Sequence, residues 1–378
     1  MTRAQKTALT LLSILALLLS GAVYSLYIKK WSAPLGPSLQ LPTWTPFALA
    51  ATWTADPRAT KTPLSAIAVV STKPAITQPA QCGDTPVMRI LLIGSDARAD
   101  SYNYGLADVI RLARVDFVNE TVTVLEFPRD LWVEIPDIAD NLDGQTHEKL
   151  NQSYLYGNPG FQYTNDPAQG PGLLARTLAL NFGARIDHYA ALNMKTFVNI
   201  VNAVGGIDVY LPEPVDGRAG EDLSDRLVFP AGQLHLMGDR ALTLARIRIE
   251  GGFARAENQN RVLCALRDQL TSPEVVKDIP ELIQAFNDNI QTDLSPAQIS
   301  ELACLGTQIQ TSDIHFVGFP QNLFVQTREF DPVFGKNVSI LKTDFEVLRE
   351  YVHQFNEGAW QATSAPAEAS SEEVPFCP

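Results

Sequence analysis

The chain has 378 residues, 46% of them apolar and 19% charged, which leaves room for about two domains with a sizeable core and excludes wholesale disorder. Its 29 Lys and Arg stand against 42 Asp and Glu, a formal charge of -13; so acidic a chain is not a nucleic-acid binder, whose affinity comes from setting a basic face against phosphates. Yet 19 of the 29 basic residues are Arg, gathered in short stretches that suit a small, highly charged anion.

Residues 8–28 (ALTLLSILALLLSGAVYSLYI) carry no charge, with Arg3 and Lys6 before them and Lys29 and Lys30 after. About 20 apolar residues cross a bilayer core, so residues 1–30 read as a cytoplasmic stub and a single transmembrane anchor, with the N-terminus inside. A cleaved signal peptide is the alternative, although no clear A-x-A site follows. Either way the remainder lies outside the cytoplasm. Residues 31–85, rich in Pro, Thr and Ala, predict a semi-extended extracytoplasmic linker. The folded domain is expected over 86–355, and 356–378 has the composition of a disordered acidic tail.

Within the domain, Met88–Ile93 is a buried strand by its length and by the Gly94 that ends it. Val109–Val115 and Val122–Phe127 follow as a hairpin turned near Asn119. Pro171–Phe182 is helical, with Gly183 as its C-cap. Lys195–Val204 is a helix stopped by Gly205 and Gly206, and Ile207–Leu211 is a strand. Ala256–Leu270 has apolar residues at helical spacing. Ser295–Leu305 opens with Ser295, Pro296 and Gln298 in a capping-box pattern and can close at Gly306. Strands interleaved with helices imply an α/β fold, a mixed central sheet with helices on both faces. Of the four cysteines, Cys82, Cys264, Cys304 and Cys377, Cys264 and Cys304 fall on predicted helices, where they either pair or serve as small core residues. No Cys/His grouping has zinc-ligand spacing.

Three stretches carry charge where loops leave strands. Gly94-Ser95-Asp96-Ala97-Arg98 follows the first strand, and Asp108 stands at the start of the second; two such carboxylates can share Mg²⁺, which completes its shell with phosphate oxygens and water. The plainer alternative makes Asp96 a turn residue and Asp108 an edge charge. Phe127-Pro128-Arg129-Asp130 ends the third strand and either projects Arg129 from the sheet or leaves it paired with Asp130. In Leu244-Ala245-Arg246-Ile247-Arg248-Ile249 the arginines alternate with apolar residues, so a strand would put Arg246 and Arg248 on one face. Arg255 arrives just before the helix from Ala256, with Gln259 on its first turns, where free N–H groups favour phosphate. Guanidinium forks match phosphate oxygens, and several with a metal suit a pyrophosphate; a surface salt-bridge lattice is the other reading.

Taken together, ILLIGSDAR, LADVIRLARVD, VTVLEFPRDLWVEIP, KLNQSYLYG, IDHYAALNMKTFVNIVNAVGGIDVYLP and GQLHLMGDRALTLARIRIEGGFARAENQNRVLCAL, in that order, resemble the LytR-CpsA-Psr family of membrane-anchored cell-envelope proteins. The resemblance implies an αβα sandwich whose apolar pocket holds a polyprenyl chain. The implied activity moves a glycopolymer from a polyprenyl-pyrophosphate carrier to a peptidoglycan hydroxyl and releases polyprenyl phosphate. It implies Asp96 and Asp108 as ligands of Mg²⁺ (or Mn²⁺) and Arg129, Arg246, Arg248 and Arg255 as phosphate-binding catalytic residues, with Arg98 and Gln259 as further contacts. Its implied partners are the lipid-linked glycopolymer, peptidoglycan and the membrane. The family's G-D-F/Y-G-R appears here as Gly251-Gly252-Phe253-Ala254-Arg255, without the acidic residue, which Asp130 or Glu250 would have to replace. That departure keeps two other readings open, a lipid pyrophosphate hydrolase and a non-catalytic polyprenyl-phosphate-binding envelope protein.

Overall fold

The computed structural model describes residues 20, 24–25, 29–41, 82–83, 85–97, 102–218, 224–247, 252–272, 275, 289–331 and 335–360. Most of the apolar run 8–28 and residues 361–378 lie outside them, and among the described residues no helix is long and apolar enough to cross a membrane. In chain order the elements are β1 (Val87–Ser95), β2 (Ala107–Asp116), β3 (Thr121–Glu126), β4 (Trp132–Glu134), β5 (His147–Lys149), α1 (Leu150–Gly157), α2 (Gln169–Phe182), β6 (His188–Asn193), α3 (Met194–Ala203), β7 (Ile207–Leu211), β8 (Val215–Asp216), β9 (Val228–Phe229), β10 (Gly232–Leu236), α4 (Gly238–Arg246), α5 (Gly252–Leu270), β11 (Gln291–Thr292), α6 (Pro296–Gln308), β12 (Ile314–Gly318), β13 (Val325–Asp331), β14 (Lys336–Lys342) and α7 (Phe345–Glu357).

Six strands form one sheet in the order β11–β6–β1–β2–β3–β12. It is mixed: β1 runs antiparallel to β2 and parallel to β6, and β12 runs parallel to β3. Side chains alternate between its faces. Leu91, Ile93, Ile110, Leu112 and Leu125 join Tyr154 of α1, Leu174 and Leu178 of α2, and Leu348 and Val352 of α7 in the largest core. On the opposite face Met88, Ile90 and Val115 pack against Leu305 of α6 and Ile309. A third cluster unites α3, α4 and α5 with β7 and β10 through Val201, Ile207, Val209, Leu244, Val262 and Leu266. Each such side chain contributes about 1.5–3 kcal/mol by leaving water.

Several sequence signals act as expected. Gly183 caps α2 at φ 70, a left-handed conformation that favours glycine. Ser295 and Gln298 form a reciprocal capping box on α6, but this helix runs through Gly306 to Gln308 because its apolar contacts extend to Leu305 and Ile309. The Asp116 carboxylate accepts hydrogen bonds from the Val118 and Asn119 backbones and fixes the β2–β3 turn.

Other expectations need correction. Leu244–Arg246 is not a strand but the last turn of α4, so Arg246 and Arg248 do not alternate on one strand face. Gly238, Ala241 and Leu244 are buried at three-residue spacing, and that apolar stripe, in residues of good helix propensity, overrides the short Ile-Arg alternation. Helix α5 begins at Gly252, so Arg255 lies inside its first turn rather than ahead of it. Cys304 is joined to Cys82, across 222 residues, and not to Cys264. Residues 35–41, placed by composition in the linker, lie against the sheet edge: Leu35 N–H donates to Leu294 O (3.1 Å), the Tyr189 hydroxyl donates to Pro37 O (3.0 Å), and Leu39 and Leu41 pack on the main core. At the other end Asn356 is buried, donating to Gly183 O (2.9 Å) and accepting from Arg185 N–H (3.2 Å).

Candidate functional site

The site begins at an irregularity in the β1–β2 ladder. Gly94 pairs with Val109, but Ser95 pairs with Ala107, leaving Asp108 as the extra residue of a β-bulge. A bulge re-aims a side chain and sharpens the local twist. Glycine is needed at position 94, since a Cβ there would stand 2.9 Å from that of Val109. Directly after β1, Asp96 closes the loop to β2: its N–H donates to Leu106 O (3.1 Å) and its Oδ1 accepts from Leu106 N–H (2.6 Å). Asp96 therefore does act as a turn residue, and it does so beside the strand end that carries Asp108.

Arg129 stands just past β3, its carbonyl held by Asn151 N–H at the start of α1 (3.1 Å). Its guanidinium forms a salt bridge with Asp108, and its Nε reaches Asp130 Oδ2 (3.4 Å). Asp130 Oδ1 in turn meets Lys149 Nζ (3.3 Å). The result is an alternating string, Asp108–Arg129–Asp130–Lys149, each member about one-fifth to one-third exposed. Burial pulls the Arg129 pKa down, but the two carboxylates more than offset this and raise it above its ordinary value. The guanidinium stays charged.

A second assembly lies one step along β2. Arg111 is only 1% exposed, and donates to Asn260 Oδ1 (2.5 Å), Glu126 Oε2 (3.0 Å) and Gln259 Oε1 (3.3 Å). Gln259 Nε2 donates onward to Ala245 O (3.3 Å). This links β2 through α5 to the end of α4, where Arg246 is exposed and meets no carboxylate among the described residues. Both polar ends of the Gln259 amide are thus engaged by protein groups.

The same face of the sheet carries an apolar floor. The register sets Ala190 beside Leu92, and Leu192 beside Gly94 and Val109. Gly94, Val109, Ala190 and Leu192 keep partial solvent access and belong to none of the three cores. Apolar surface therefore adjoins the charged string.

Residues 58–345 match the LytR_cpsA_psr family. The chain belongs to that family. Among curated LytR_cpsA_psr-like relatives, the polyisoprenyl-teichoic acid–peptidoglycan teichoic acid transferase TagV of Bacillus subtilis is 29% identical over 208 residues, 54% of this chain and 49% of that protein. The corresponding transferase TagU of Enterococcus faecalis is 30% identical over 219 residues, 57% of this chain and 64% of that protein. The chain thus spans about half to just under two thirds of the length of these relatives. The crystal structure of B. subtilis TagV aligns with a TM-score of 0.54 at 22% identity, covering 73% of this chain and 98% of that one, which shows a common fold.

Within this LytR_cpsA_psr fold, the structure brings Asp108, Arg129 and Asp130 into one string and ties Gln259 to the backbone beside Arg246. Arg98, Arg248 and the Arg255 side chain lie outside the described residues. Sequence reasoning missed Arg111 and Lys149. A charge interrupting the apolar run of β2 signals the first, and the second sits unremarked in the KLNQSYLYG stretch.

Asp96 and Asp108 suit a hard divalent cation by donor chemistry, since both offer carboxylate oxygens and flank the same bulged strand end. Asp96 Oδ1 accepts from Leu106 N–H, and Asp108 Oδ1 pairs with Arg129.

Proposed function

We propose that this chain transfers a glycopolymer from a polyprenyl-pyrophosphate carrier to a peptidoglycan hydroxyl. The acceptor oxygen attacks the phosphorus linked to the sugar, the bond from that phosphorus to the bridging oxygen breaks, and polyprenyl phosphate leaves with the bridging oxygen. The observation that carries this reading is that strand β2 bears both Asp108, which pairs with Arg129, and Arg111, which is tied through Gln259 to the backbone beside Arg246, next to half-exposed apolar sheet. A doubly phosphorylated lipid head needs just such a pairing of cations and apolar surface. The names of the two relatives, polyisoprenyl-teichoic acid–peptidoglycan teichoic acid transferases, support it.

In this reading Arg129 and Arg246 bind the two phosphates, with Arg98, Arg248 and Arg255 adding charge. Asp96 and Asp108 hold Mg²⁺ or Mn²⁺, which when bound neutralises phosphate oxygens. Asp130, held by Lys149 and Arg129, receives the proton of the incoming hydroxyl. Catalysis is then mainly positioning and charge neutralisation. The apolar run 8–28 anchors the chain as a single span with the domain outside, and an αβα layering shelters the lipid.

Full-length protein in detergent micelles, given labelled lipid-linked teichoic acid and peptidoglycan, should form a covalent polymer–peptidoglycan product. Release of polymer phosphate without that product would replace transfer with hydrolysis. Binding without turnover at every divalent metal concentration would leave a lipid-binding protein.

A further inference from the structure

Arg111 is a costly residue for the middle of a sheet. Its side chain is almost wholly buried, its Nε has no hydrogen-bond partner among the described residues, and the carboxylate it pairs with there, Glu126, is 33% exposed, leaving the Phe316 ring, 5.8 Å away, as a weak further contact. Removing such a cation from water costs several kcal/mol, and replacing a buried ion pair with well-packed apolar residues is often neutral or stabilising. Its neighbours in the same cross-strand row, Ala190 and Leu92, show that an apolar residue fits this face. Stability alone does not account for the guanidinium.

The hydrogen bonds say what it does instead. The fork ties the β2–β3 ladder, where Glu126 is its cross-strand partner, to Gln259 and Asn260 on α5, a helix that no backbone ladder joins to the sheet. Gln259 passes the connection to the Ala245 carbonyl, one residue before Arg246. Asp108, partner of Arg129, stands three residues before Arg111 on the same strand. We infer that Arg111 is a positioning residue that sets the distance between the Asp108–Arg129 half of the site and the Arg246 half, and so tunes the site for a pyrophosphate rather than a single phosphate. The inference rests on the phosphate-binding reading above. A fork held by three acceptors on two elements resists displacement in each direction, whereas a lysine in its place would hold one point.

The test uses full-length protein in detergent micelles, with geranylgeranyl pyrophosphate and Mg²⁺ as the probe. The paired substitution Arg111→Met with Glu126→Val removes both charges without leaving either alone. Its melting temperature should equal or exceed that of the wild type, while affinity for the probe falls about tenfold. Added to Arg246→Ala, the pair should cost less than its effect alone, because neighbours that act through one contact are not additive. Hydrogen exchange at residues 244–247 should quicken, with no ligand present. Unchanged affinity, losses that multiply, or unchanged exchange at 244–247 overturns the inference. Should the pair fail to fold, Arg111→Lys decides the matter: a loss of about threefold in affinity at unchanged melting temperature supports positioning, and no loss refutes it. If the wild type does not bind the probe while the exchange at 244–247 still depends on Arg111, the pyrophosphate reading fails and the mechanical link stands.

Discussion

Asp108 and Arg129 meet in a salt bridge although one is the extra residue of a bulge in β2 and the other lies beyond the end of β3. The bulge turns the carboxylate towards the guanidinium, and Asp130 reaches the Nε of the same guanidinium. Arg129 is thus presented already charged and already oriented. Arg129→Ala should weaken geranylgeranyl pyrophosphate binding by about a hundredfold, the size expected for two charge-assisted hydrogen bonds at the low end of about 1.5–3 kcal/mol each. Arg129→Lys should recover little of it, since a lysine lacks the planar fork. Calorimetric titration of the three full-length proteins checks both statements.

Asp96 separates two roles that a substitution can pull apart. Its Oδ1 and N–H close the loop on Leu106, and asparagine retains both groups while losing the charge. Asp96→Asn should therefore keep the wild-type melting temperature. In the proposed reading it should also raise, by about tenfold, the Mg²⁺ concentration needed for half-maximal probe binding. A melting temperature lowered by several degrees would show that the loop needs the charge as well.

The apolar floor offers a contrast between lipid and head group. Ala190 lies half-buried on β6 beside Leu92 and outside the packed cores. Ala190→Trp should lower affinity for geranylgeranyl pyrophosphate at least tenfold, by filling space above the sheet. Binding of inorganic pyrophosphate should be unchanged, because the Arg129 string is untouched. Equal losses for the two ligands would place the isoprenoid elsewhere.

The strands and most helices were legible because their signals are local: apolar alternation in β1 to β3, Gly183 at a helix end, Ser295 with Gln298 at a helix start. The string Asp108–Arg129–Asp130 was legible in part, because each residue falls where a strand ends. Arg246 was misplaced on a strand, since two isoleucines nearby mimic alternation and the burial of Ala241 and Leu244 against α5 and β7 is a tertiary fact. Arg111 and Glu126 pair only through the β2–β3 register, and Gln259 meets Ala245 only when α5 packs on α4; no short window of sequence contains these contacts. The Cys82–Cys304 link joins positions 222 residues apart, and chain spacing carries no pairing information at that range.

That link should matter to stability. It ties the segment before β1 to α6, and closing a long loop restricts the unfolded chain more than a short one. Cys82→Ala should lower unfolding free energy by about 2–4 kcal/mol, read as a lower urea midpoint with a slope equal to or steeper than that of the wild type, since the released unfolded chain exposes more surface. Probe affinity should be retained, because Cys82 and Cys304 pack with the α6 cluster and not with the Arg129 string.

A buried carboxyl pair gives the last prediction. Glu148 of β5 and Asp331 of β13 are both fully shielded from solvent. Burial, and then the proximity of Asp331, push the Glu148 carboxyl up to about 7, against the pull of the Lys149 N–H and the Gln145 side chain. The folded chain therefore holds a proton at Glu148 more tightly than the unfolded chain does. Stability from this group is fully present below the ordinary glutamate range near 4.5 and is lost as pH rises towards about 7, with no further loss above. Glu148→Gln keeps the shape and a donor for Asp331 but carries no proton to lose. Its melting temperature should exceed that of the wild type at pH 8 by several degrees and approach it at pH 4.5. Because Lys149, the next residue, holds Asp130 beside Arg129, the same variant should also flatten the dependence of probe affinity on pH between 5 and 8. Parallel melting curves for the two proteins across that range would show that Glu148 does not lose its proton there.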